Sequence, residues 1–253
     1  MSAPLETTRE RGVLTVTLNR PDKRNALSSA LVEALHGALD SADLDAEVQV
    51  LVLTGAGKDF CAGADLEELL ASAAAPPEAN EASALRLGNL FTRMRALPKP
   101  IVAVVRGRVL AGGAGLMTAC DIVIASAGTQ VGYPEVLRGF VPAMVMTTLR
   151  RQVGEKVALD LVLTGRLLGA EEALRAGLVS RVVPEEALDA EGRELAQLLA
   201  SAPASALALT KQLFHRLDGL SVQQGVELGA RINALARQTP EFRTAIEQFL
   251  ART

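Results

Sequence analysis

Val50-Leu51-Val52-Leu53-Thr54-Gly55-Ala56-Gly57-Lys58-Asp59-Phe60-Cys61-Ala62-Gly63-Ala64-Asp65-Leu66 is an apolar, β-branched run that empties into a loop of small residues. Its echo comes later, where Ile101-Val102-Ala103-Val104-Val105 runs through Gly107 into Ala111-Gly112-Gly113-Ala114-Gly115. Each reads as a buried strand followed by a loop in which a ligand can approach the main chain. Two such loops side by side would aim two peptide N–H groups at one oxygen. Residues 113–120 read as a helix and 122–125 as another strand, so strands and helices alternate. That order predicts an α/β layered core rather than an all-β barrel or a helical bundle.

Spacing removes the nucleotide readings of these glycines. A dinucleotide fingerprint needs a third glycine where Phe60 stands, and a phosphate loop needs Ser or Thr where Asp59 follows Lys58. Glycine content alone leaves open two ordinary strand-to-helix turns.

Outward from this pair, residues 13–19 alternate as a first strand that Arg20-Pro21-Asp22 ends. Ser28 or Ser29 can cap a helix over 30–40, whose Leu31, Leu35 and Leu39 share one face. Asp65 and Glu68 have the spacing of a capping box, so Asp65 reads first as a helix cap. Residues 71–80 lack periodicity and read as a mobile loop before a helix over 82–97. Helices are expected over 141–153, 155–163, 170–176, 185–199, 204–217, 222–238 and 241–250.

The composition excludes several classes of function. At 253 residues and 49% hydrophobic, the chain can form one large domain with at most a small appendage. Aromatics are 3% and Trp is absent, which leaves few platforms for stacking bases. The net charge of −3, with no long run of one sign, argues against nucleic acid or anionic lipid as a partner. No apolar block opens the chain and no stretch is long and apolar enough for a membrane span, so a cytoplasmic protein with Cys61 and Cys120 reduced is expected.

Phe60 through Leu66, the glycine-rich second loop, Ala119-Cys120-Asp121 and the early Asn19-Arg20-Pro21-Asp22-Lys23-Arg24-Asn25-Ala26-Leu27 resemble signature segments of the enoyl-CoA hydratase/isomerase (crotonase) family. Leu163-Thr164-Gly165-Arg166 and Ala176-Gly177-Leu178-Val179 look like that family too. The resemblance implies a crotonase-like spiral of β-β-α units over residues 1–195 and a C-terminal helical region for trimerisation or as a lid over 196–253. It also implies a homotrimer or dimer of trimers. The backbone N–H groups of Ala64 and Gly112 would be the oxyanion donors. Coenzyme A would lie along Ala62, Asp65 and Leu66 and along Arg24 and Ala26, with the 71–80 loop closing over the acyl chain. Lys23 and Arg24 would meet the phosphates, unless they are solvated loop charges.

A thioester acidifies its α-protons only where the charge developing on its carbonyl oxygen is held. Proton transfer then needs a titratable group. By resemblance, hydratases of the family use two glutamates. This chain has Gly115 at the first position and Glu135, in Tyr133-Pro134-Glu135-Val136, at the second. A single base suits positional isomerisation. Yet branches resembling hydratases of branched enoyl-CoAs such as methylglutaconyl-CoA also carry glycine there, with Val-Pro-Ala as in Val141-Pro142-Ala143. The expectation is therefore a 2-enoyl-CoA hydratase, with a Δ3-Δ2 isomerase or a non-catalytic acyl-CoA binder as alternatives. Glu67 or Glu68 is a candidate second carboxylate. No metal or cofactor is expected, because coenzyme A belongs to the substrate. His36 and His215 have no ligand cluster around them in sequence, no Gly-x-Ser-x-Gly elbow is present, and Cys61 reads as packing.

Overall fold

The structure is a computed structural model that describes residues 3–251. Its strands are β1 (Leu5–Glu10), β2 (Val13–Leu18), β3 (Val50–Gly55), β4 (Ile101–Val105), β5 (Arg108–Leu110), β6 (Ile122–Ser126), β7 (Gln130–Gly132), β8 (Leu167–Gly169) and β9 (Arg181–Val183). The helices are α1 (Ser29–Leu44), α2 (Leu66–Ala71), α3 (Pro77–Ala96), α4 (Gly112–Ala119), α5 (Ala143–Gln152), α6 (Glu155–Thr164), α7 (Ala170–Ala176), α8 (Leu188–Ala200), α9 (Ala204–Arg216), α10 (Val222–Ala236) and α11 (Pro240–Leu250).

The strands form a six-stranded sheet in the order β1-β2-β3-β4-β6-β9 and a three-stranded sheet in the order β5-β7-β8. Every pairing in the large sheet is parallel except the β1-β2 hairpin. The chain winds from β4 to β5 to α4, then from β6 to β7 to α5, stepping one strand along each sheet per turn. This is the spiral of β-β-α units expected from the resemblance.

Parallel strands covered on both faces must be apolar throughout, and β4 is, as is β3 up to Thr54. Alternate residues serve opposite layers. Leu51, Leu53, Ile101, Ala103 and Val105 pack with Leu31 and Leu35 of α1 and Phe91 of α3, while Val50, Val52, Val102 and Val104 pack against Leu188, Leu195 and Ala196 of α8. Helix α8 therefore belongs to the spiral core, and the expected division at residue 195 falls inside it. Ser201-Ala202-Pro203 separates α8 from α9.

Two local readings need correction. Residues 71–80 are not a loop: a short 3-10 turn at Ser72–Ala74 leads into α3, which starts at Pro77. Proline suits the first turn of a helix, where its missing N–H has no intrahelical partner. The capping box at Asp65 is only half formed. The Asp65 carboxylate accepts from the Glu67 and Glu68 amides, but the Glu68 side chain turns away to accept from Ser29 N at 2.8 Å and Ser29 Oγ at 3.0 Å. Strand β1 was hidden because it is an edge strand with five of its six residues exposed. Of the segment read as lacking a leader, Met1 and Ser2 lie outside the described residues. No helix among the described residues is long and apolar enough to cross a membrane.

The tail is held to the core by a buried ammonium. Lys211 of α9 donates to Met94 O and Lys99 O, each at 3.0 Å, and sits 2.7 Å from Asp121 Oδ2. Burial lowers its pKa and the Asp121 charge opposes that shift.

Candidate active site

The two glycine loops lie side by side and are stitched together by main-chain bonds. Cys61 N donates to Arg108 O at 3.0 Å and Leu110 N to Cys61 O at 2.9 Å. One residue further on, Ala111 N donates to Gly132 O at 2.9 Å, which ties the second loop to the end of β7, just before the turn that carries Glu135. Gly63 faces Ala111 so closely that a Cβ on Gly63 would lie 2.8 Å from the Ala111 Cβ, and Gly63 also adopts φ +100°. Only glycine fits there without strain.

A trans peptide points its N–H opposite to its C=O, so partners of the preceding carbonyls show where the two expected donors aim. Gly63 O accepts from Leu27 N at 2.8 Å, which turns the Ala64 N–H away from the Leu27 segment. Ala111 O accepts from Gly115 N at 3.0 Å, which turns the Gly112 N–H out of the α4 N-terminus. Neither N–H has a hydrogen-bond partner among the described residues. Gly112 is buried at the first position of α4, where the helix dipole adds positive potential. Ala111, just before it, holds φ 51° and ψ −123°, a conformation costing on the order of 1–3 kcal/mol for a residue with a Cβ. That strain sits beside an unpaired donor.

Glu135 lies on a 3-10 turn, Pro134–Arg138, directly after β7. Its side chain is buried, its Oε2 has no partner among the described residues, and desolvation raises its pKa above the ordinary 4.5, with the Arg138 charge acting the other way. A buried carboxylate oxygen without a partner is costly unless it has work to do. The position expected for the other glutamate is closed. A Cβ on Gly115 would come within 2.6 Å of both Phe91 Cζ and Val145 Cγ1, so α3 and α5 fill the space where a longer side chain would start. Neither proposed substitute is free: Glu67 pairs with Lys23 at 2.7 Å and Glu68 is held by Ser29. The sequence carried the loss of the first glutamate but not its filling, because Phe91 and Val145 come from distant helices.

The remaining expected residues flank the first loop. Leu27 bridges Ala64, and Ala62 N donates to Arg24 O at 3.0 Å. Ala26 and Ala62 are half-buried, whereas Lys23, Arg24 and Leu66 are exposed. Arg24 and Asn25 both have positive φ, at 51° and 54°. The Asp65 carboxylate is fully engaged by the α2 amides and by Arg20, which also holds its pKa below the usual range. Any ligand contact at that position falls to the main chain. Asn25 was not singled out from sequence, yet its buried amide donates to Ala56 O and Asp59 O while its oxygen accepts from Arg20 N. Cys61 is buried and its thiol is pushed up to about 12 by desolvation, as a packing residue. No group of three or more His, Cys, Asp or Glu among the described residues could hold a metal.

The sequence profile described as Enoyl-CoA hydratase/isomerase matches residues 8–253. The chain belongs to that family. A Thermus thermophilus protein with the provisional name enoyl-CoA hydratase is 43% identical over 244 residues, spanning 96% of each chain. The 2,3-dehydroadipyl-CoA hydratase of Escherichia coli is 34% identical, covering 96% of this chain and 94% of its own. The crystal structure of an enoyl-CoA hydratase from Mycobacterium smegmatis superposes with a TM-score of 0.95 at 32% identity, over 99% of this chain and 97% of the other. As a member of the enoyl-CoA hydratase/isomerase family the chain is an enzyme with the crotonase fold, and its substrate is an acyl-CoA thioester.

Proposed function

We propose that the chain is an enoyl-CoA hydratase that works with one carboxylate. The observation that carries this reading is the buried Oε2 of Glu135, without a partner among the described residues, on a turn that follows β7, whose Gly132 is bonded to the loop that carries the unpaired Gly112 N–H. The thioester oxygen sits between the Ala64 and Gly112 amides. Glu135, as carboxylate, takes a proton from water while the water oxygen bonds to C3. The C2–C3 π pair moves toward C2 and the carbonyl, and the amides hold the enolate oxygen. The enolate collapses when Glu135 returns that same proton to C2. One water is consumed and Glu135 ends ionised, as it began. Each oxyanion donor contributes about 3 kcal/mol to lowering the barrier. Neither a metal nor a further cofactor enters this reaction.

One observation favours a second reading. Phe91 and Val145 close the Gly115 position with apolar atoms, leaving no second group there to steer a water. Glu135 would then act as a Δ3-Δ2 isomerase base, removing the C2 proton of a 3-enoyl-CoA and delivering it to C4.

In either case coenzyme A runs along Ala26, Ala62 and the main chain of Asp65 and Leu66, with Lys23 and Arg24 near its phosphates. The proposed assembly is a homotrimer or dimer of trimers in the cytoplasm. What supports assembly is the apolar tail surface, where Phe214 is 69% and Val226 66% exposed. Incubation with straight and branched 2-enoyl-CoA and 3-enoyl-CoA thioesters tests the function. Loss of the conjugated absorbance of a 2-enoyl-CoA supports hydration, and its appearance from a 3-enoyl-CoA supports isomerisation. Binding without either change would overturn both in favour of a non-catalytic binder.

A further inference from the structure

Arg20 joins the two segments between which the Ala64 peptide is held. Its Nη1 donates to Ala26 O at 2.5 Å and its Nη2 to Asp65 Oδ2 at 2.8 Å. Both side chains are largely shielded, with 21% of the Arg20 side chain and 8% of the Asp65 side chain exposed. A charge-assisted pair in such a place is stronger and better oriented than one in open water. The backbone of Arg20 is fixed as well, since its N–H donates to Asn25 Oδ1 at 2.8 Å.

The two groups that Arg20 grips flank a short bridge. Leu27 N donates to Gly63 O at 2.8 Å and Asp65 N donates to Leu27 O at 3.0 Å. The Gly63 carbonyl and the Ala64 N–H belong to one planar peptide, so rotating that carbonyl rotates the N–H with it. If the Ala26-Leu27 segment slides against Asp65, the Ala64 donor swings off its target. The guanidinium spans that joint, touching the carbonyl just before Leu27 and the side chain just after Ala64. The second donor has no such dependence, because α4 itself holds the Ala111 carbonyl.

We infer that Arg20 is a positioning residue for the Ala64 oxyanion donor, acting through Ala26 and Asp65 without touching the substrate. This rests on the proposed enoyl-thioester reading. It assigns Arg20 an effect on the transition state rather than on coenzyme A affinity.

The test uses Arg20→Met and Arg20→Lys in the full chain, alone and combined with Glu135→Gln. Turnover is followed with the reactive enoyl-CoA, and carbonyl polarisation by the red shift of a bound 2,4-dienoyl-CoA in the Glu135→Gln background. Arg20→Met should lower kcat between about tenfold and a hundredfold with KM changed only a few-fold, the scale expected for a small misplacement of a catalytic group. Its bound dienoyl probe should lose much of the red shift. Arg20→Lys, which keeps the charge but not the fork, should recover only part of both. If Arg20→Met does not fold, the same two readouts on Arg20→Lys decide. A raised KM with unchanged kcat, or a fall in kcat with the full red shift retained, would overturn the inference. An absent shift in Glu135→Gln with Arg20 intact, although the probe binds, would instead bring down the oxyanion reading beneath it.

Discussion

Helix α4 carries no charged residue, the tail helices α9, α10 and α11 mix apolar with charged ones, and the two regions place their apolar side chains in opposite ways. All eight residues of α4 are buried, whereas α9 buries only Lys211, α10 only Leu228 and α11 none. The burial of α4 within the chain holds the strained backbone and the unpaired amide beside it in place. The tail leaves Phe214, Val222 and Val226 in solvent and is anchored through a buried charge. One region is buried and holds a proposed oxyanion donor; the other presents exposed apolar side chains.

The sharpest way to separate the two regions is to remove the chemistry and keep the fold. Glu135→Gln should lower turnover by about 10² to 10⁴ while thioester binding and thermal stability persist. Steady-state kinetics and calorimetry would show it. Next in size, Lys211→Met leaves Asp121 without its buried partner and should cost about 3 kcal/mol, read as a lower denaturation midpoint. If the tail is a separate layer, the surviving folded enzyme keeps its kcat.

Gly115→Ala should be smaller, about 1–3 kcal/mol, because its Cβ must displace Phe91 and Val145. Unlike the Lys211 change, it should also disturb kcat, since α4 starts at Gly112. Finally, the acid limb of kcat/KM should lie above the ordinary glutamate value of 4.5, because Glu135 must be ionised to act as base and burial raises its pKa. Asp65 runs in the opposite sense. Its folded pKa is depressed, so the stability it adds is present above its unfolded pKa and lost as pH falls through the folded one. Fluorescence-free denaturation curves from far-UV circular dichroism at several acid pH values would follow that loss, in a chain without tryptophan.

How much was legible in the sequence follows from how locally each feature is determined. Strands β3 and β4 are readable because their buried faces demand apolar residues at every position but Thr54 and Gly55. Strands β5, β7 and β8 are three residues each, too short for a period to show, and they take their shape from neighbours in the small sheet. Pro76 and Pro77 were read as loop residues although Pro77 opens α3. The glycine loops announced themselves, since close approach of main chain to main chain leaves no other residue type. The destination of the Arg20 side chain did not, because a charged residue beside a turn looks the same whether it faces water or spans two loops.

The proposed chemistry depends on two main-chain amides meeting at one oxygen. A crystal structure of Glu135→Gln with a bound enoyl-CoA tests that most directly. The thioester carbonyl oxygen should lie about 2.7–3.1 Å from both the Ala64 and the Gly112 nitrogen. A bound thioester whose oxygen contacts neither amide would contradict it.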